Sequence, residues 1–143
     1  MLQSSSNMRP PAGAAPSAWQ RVIQANLDEL VHVGGIDAAS LFSMEGLTLA
    51  KAAKSGQALN EMQAVEWIVM MAKMHRVLPK LGVKHPALEV AIESTTGRRW
   101  IFRFLTIWGQ TAILMLLVPE RKTYRGLLSR ITKSIEKWSS TSV

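Results

Sequence analysis

The chain has 143 residues, 48% of them hydrophobic, no cysteine and a net charge of +7. That is enough for one domain with one good core. It excludes disulfides, thiolate metal sites and cysteine nucleophiles, and the positive balance predicts affinity for something acidic. Residues 1–16 (MLQSSSNMRPPAGAAP) are rich in Ser, Pro and Ala without periodicity, which predicts a disordered tail before a domain over 17–140. The tail lacks the apolar core of a signal peptide. No segment has the roughly 18 unbroken apolar residues of a spanning helix, so the default compartment is cytoplasmic.

Ser17 is a candidate N-cap, and Trp19, Val22, Ile23, Leu27, Leu30 and Val31 follow at helical spacing up to Gly34-Gly35, which stops the helix. Ile36–Ser43 and Leu47–Ala52 predict two strands joined at Met44-Glu45-Gly46. The segment from Asn60 to Pro79 predicts a helix capped by Asn60 and closed by Pro79, which pushes Leu78 out of the α region. Its apolar residues fall in two stripes. Val65, Ile68, Val69 and Ala72 make one; Trp67, Met70, Met71, Met74 and Leu78 make the other. A helix apolar on most of its circumference needs cover on both sides. One side is its own sheet, and the second predicts a partner.

Ala87–Ser94 alternates, with Leu88, Val90 and Ile92 facing one way and Glu89 and Glu93 the other, the pattern of a half-wet or edge strand. Arg98–Leu105 predicts a strand with Trp100, Phe102 and Phe104 on one face and Arg103 on the other. Thr111–Val118 is almost wholly apolar, as a central strand covered on both faces should be. Arg121–Trp138 predicts the last helix. The order is α-β-β-α-β-β-β-α, an α+β domain with a single five-stranded antiparallel sheet.

No catalytic equipment is visible. His32, His75 and His85 lack metal-ligand spacing, and Ser43, Ser94 and Ser129 sit in no nucleophile-elbow context. There is no Gly-rich phosphate loop, and Glu89 and Glu93 predict a solvated strand face rather than an acid/base pair. No catalytic residue, metal or cofactor is assigned, and an enzyme is not expected.

The stretches IDAASLFSMEGLTLAKA and LMLLVPERKTYRGLLSRITKSIEKW resemble the first hairpin and the last strand plus closing helix of the Roadblock/dynein-light-chain family. The closing helix makes the likeness nearer to bacterial polarity-type and Ragulator-type members. The resemblance covers Trp19 to Trp138 and implies a non-catalytic dimerisation scaffold that binds or regulates a small Ras-like GTPase. It further implies pairing, with itself or a related subunit, through the central helix and the strand after it. The expected interface is therefore Trp67, Met70, Met71, Met74, Leu78, Leu88, Val90 and Ile92. SAWQRVIQANL also looks like a profilin opening, which would imply a polyproline- or actin-binding module. Profilins, however, place more strands and glycine-rich turns after the middle helix.

Basic residues crowd the last third. Arg121, Lys122, Arg125, Lys133 and Lys137 form an expected surface for an acidic partner, with peripheral contact to anionic lipid as an alternative. Nucleic acid is the weaker reading, because Trp100 and Tyr124 are spaced as core residues and not interleaved with the basic ones.

Overall fold

Alternating large apolar side chains along Arg99–Ile107 decide how the sheet is covered. Trp100, Phe102 and Phe104 enter one cluster while Ile101, Leu105 and Ile107 enter another, so both faces demand a helical layer. The computed structural model describes residues 16–83 and 89–141. Its elements are α1 (Pro16–His32), β1 (Ala38–Ser43), β2 (Thr48–Ala53), α2 (Glu61–Val77), β3 (Glu89–Glu93), β4 (Arg99–Ile107), β5 (Gln110–Val118) and α3 (Arg125–Thr141). The strands make one antiparallel sheet in the order β2-β1-β5-β4-β3, the five-stranded α+β architecture predicted above. The tail over 1–15, and Ala87 and Leu88 of the predicted strand, lie outside the described residues.

The apolar strand β5 is central. Its Ala112, Leu114, Leu116 and Val118 meet α1 and α3, while Ile113 and Met115 meet α2. Full burial of such side chains contributes about 1.5–3 kcal/mol each, so this strand anchors both layers. On the first face, Ile23, Leu27, Leu30 and Val31 of α1 join Leu128, Ile131 and Ile135 of α3. Gly34 lets the two helices meet: a Cβ there would stand 2.3 Å from Leu127 Cδ2. Gly35 then turns the chain with φ +72°, a conformation that favours glycine.

Four expectations differ from the structure. α1 begins at Pro16, the last residue of the expected tail, so Ser17 lies inside the helix rather than capping it. Leu78 stays in the α region (φ −52°, ψ −44°), and a 3-10 turn over Leu78–Leu81 carries the chain past Pro79 to Gly82 at φ 87°. Proline lacks only its own N–H donor, and near the start of a short 3-10 turn that donor has no required partner. The last helix starts at Arg125 rather than Arg121, because Arg121 adopts φ 64° in a turn after Pro119. Arg99 Nη2 holds that turn by donating to the carbonyls of Pro119 and Lys122. Finally, Glu89 is not solvated but enclosed by Arg103 and Tyr124.

Candidate interaction surface

Asn60 Oδ1 accepts from the backbone N–H of Gln63 at 3.1 Å, so α2 begins at the predicted cap. Its inward face is Ala64, Ile68, Met71 and Ala72, all buried against Phe42, Phe102, Phe104, Ile113 and Met115. Trp67 and Met74 pack beside them half-buried. The Trp67 ring lies 5.5 Å from Phe102 and 6.3 Å from Trp100. The outward face sets exposed apolar side chains among the exposed Glu66, Lys73 and Arg76. Met62 is 79% exposed, Met70 57%, Val69 52% and Val65 36%.

Two separate faces were therefore legible, but their membership was not. The spacing groups Val65 and Val69 with Ile68 and Ala72, and the structure turns them outward. The spacing groups Met71 with Met70, and the structure buries it in the domain's own core. Leu78 is half-buried in the 3-10 turn. Val90 and Ile92 project from β3 onto the α2 face, half-buried in the same cluster. β3 is an edge strand, paired only with β4 among the described residues. Trp67 and Met70 line an open groove on α2 with Gln63 and Glu66. Leu88 lies outside the described residues.

On the opposite face, Glu89 and Arg103 are cross-strand partners in β3 and β4. Arg103 donates through Nε (3.2 Å) and Nη2 (3.0 Å) to Glu89 Oε1, and the Tyr124 hydroxyl donates to Oε2 at 2.8 Å. Arg125 Nε stands 3.7 Å from the same oxygen. This ties the edge strand to the start of α3, a link that no linear spacing announces. Burial pushes the Tyr124 hydroxyl pKa up, and its bond to Glu89 adds to that push while Arg125 opposes it. The His75 ring lies 4.6 Å from Phe104, and burial, followed by the charge of Arg76, lowers its pKa.

The expected basic strip divides. Arg121, Lys122 and Arg125 line one open groove with Arg99, Thr123 and Tyr124. Lys133 lines a different one beside Glu136 and Arg103, and Lys137 is exposed on α3. Among the described residues, no three His, Asp or Glu side chains converge in a metal-binding arrangement. No described helix is long and apolar enough to cross a membrane.

No protein-family model matches the chain, and no curated protein does. Solved structures do. Myxococcus xanthus MglB is similar with a TM-score of 0.74 and 14% identity, over 87% of this chain and 92% of that one. An MglB with a tetrameric arrangement gives 0.68 and 16%, over 99% and 100%. A Roadblock/LC7 domain from Streptomyces avermitilis gives 0.61 and 15%, over 82% and 98%. At these identities the likeness is one of fold, and the chain has the Roadblock/LC7 fold that its hairpin and closing helix resemble.

Proposed function

We propose that the protein is a non-catalytic Roadblock-type module that self-associates through the outward face of α2 and the edge strand β3, and that its dimer binds or regulates a small Ras-like GTPase. The observation that carries the dimer is the second apolar face of α2. Met62, Val65, Val69 and Met70 belong to it, and no other element among the described residues covers them. Charge supports a second copy over an unrelated partner. Glu66 lies three residues before Val69, and Lys73 three after Met70; all four are exposed. A two-fold axis between Val69 and Met70 therefore sets Glu66 opposite Lys73 of the second copy, a self-complementary pattern. The GTPase rests on what the Roadblock resemblance implies.

Adjacent methionines test the interface. Met70→Glu should leave the folded monomer intact and abolish the dimer in light scattering. Met71→Glu should instead unfold the domain or lower its stability by several kcal/mol, because it buries a carboxylate without a partner. A wild-type chain that stays monomeric at tens of micromolar, or a Met70→Glu variant that keeps dimer mass, would sink the interface. For the second half of the proposal, the full chain is titrated with GTP-loaded Ras-like GTPases encoded in the same genome. Absence of binding and of any change in hydrolysis across that set rejects the GTPase while leaving the dimer standing.

A further inference from the structure

Several cations around the sheet meet acids. Lys54 and Arg98 share Asp37, Lys51 meets Glu61, Arg130 meets Glu29, and Arg103 meets Glu89. One groove gathers cations of which most do not. It holds about 390 Å³ and is lined by Arg99, Arg121, Lys122, Thr123, Tyr124, Arg125 and Gly126, with no carboxylate in the lining. Among the described residues, no carboxylate lies within ion-pair distance of Arg99, Arg121 or Lys122.

Arg99 is the informative member. A half-buried guanidinium ordinarily meets a carboxylate, since its desolvation needs a countercharge. Among the described residues, the Arg99 guanidinium donates to the carbonyls of Pro119 and Lys122 and to no carboxylate, and its enclosed Nε has no acceptor. It also shares the Tyr124 ring with Arg125, the two guanidinium carbons lying 5.3 and 5.9 Å from the ring centroid. Two like charges held near one ring, with Arg121 and Lys122 on the same rim, form a concentrated positive field. Arg125 is compensated only in part, by Glu89 at 3.7 Å.

We propose that this groove is an oxyanion site that takes a phosphate group, with Arg121, Lys122 and Arg125 as its direct ligands and Arg99 as the residue that positions the Pro119–Lys122 turn. Phosphate fits because its several oxygens can accept from guanidinium and ammonium donors arriving from different sides, and its charge approaches a dianion near neutral pH. The 77% exposed Arg125 side chain is free to turn from Glu89 toward the ligand. The phosphate could be carried by a soluble compound or by a lipid headgroup; the site chemistry is the same.

The test uses the full chain and two probes. Inorganic pyrophosphate is titrated while backbone amide resonances are followed, and phosphatidylcholine vesicles with and without phosphatidic acid are used in sedimentation. The expected result is a saturable shift confined to residues around 121–126. Its affinity should fall at least about tenfold in Arg121→Gln/Lys122→Gln and stay unchanged in Lys133→Gln. Vesicle binding that requires phosphatidic acid and is lost in the same double variant assigns the lipid source. Pyrophosphate binding without vesicle binding assigns the soluble source. The proposal is overturned if neither probe binds, if shifts spread over all basic segments, or if the double variant binds as the wild type does. Preserved amide dispersion in the variants shows that the fold is intact.

Discussion

Glu89 shows how much a single side chain can differ from its pattern. Alternation along β3 places it on the face away from Val90 and Ile92, and that much holds. Yet it is mostly enclosed, its side chain only 19% exposed, by Arg103, Tyr124 and Arg125. Glu89→Gln keeps the shape and removes the charge, leaving the part-buried Arg103 guanidinium without its counterion. The expected loss is about 1–3 kcal/mol, read as a lower urea midpoint with an unchanged slope. His75 offers a second residue-level test. Its folded pKa lies below its ordinary value of 6.5, so the unfolded chain takes up the proton first as pH falls. The stability contributed by neutral His75 is complete above pH 6.5 and is lost as pH drops through the folded pKa. His75→Gln should flatten the stability profile between pH 6.5 and the folded pKa; an unchanged slope in that window would show that protonation there is not linked to folding.

At the scale of elements, Ser17 lies inside α1 rather than capping it; the remaining caps and breakers act where the sequence places them, with one exception. Asn60 caps α2 through the Gln63 N–H, and Asn60→Ala should cost about 1 kcal/mol in a denaturation experiment. Gly34-Gly35 ends α1, but Gly34 has a further role. It is where Leu127 of α3 approaches most closely, so the glycine belongs to helix–helix packing as much as to the turn. Pro79 is the exception. The 3-10 turn runs through it, so a local propensity was overridden by a geometry that needs one hydrogen bond fewer. The late start of α3 is likewise a tertiary effect. Arg99, reaching across from β4, holds the carbonyls of Pro119 and Lys122, and the chain stays in a turn where its own sequence would permit helix.

For the whole molecule, salt separates the two proposed surfaces. A net charge of +7 makes two copies repel, and that repulsion is screened as ionic strength rises toward the point where the Debye length is about 8–10 Å or less. A dimer held by Met62, Val65, Val69 and Met70 should therefore keep or gain mass with added salt in light scattering. Pyrophosphate binding at Arg121 and Lys122 should weaken over the same range. Dissociation of the dimer by salt would mean that the copies are joined by charge, and the outward face of α2 would lose its assigned role.

The sequence by itself determined the order of the elements, the central place of β5 and the existence of a second apolar face on α2. These depend on periodicity and on total apolar circumference, which local spacing records. It did not determine which side chains make up each face. Two interleaved stripes along one helix can be divided in more than one way, and only the position of the sheet decides that Met71 turns in while Val65, Val69 and Met70 turn out. Nor could it assemble Glu89 with Arg103, Tyr124 and Arg125, or Arg99 with Arg121 and Lys122. Those groups lie on separate elements, and they meet only because β3 pairs with β4 and the start of α3 packs beside them.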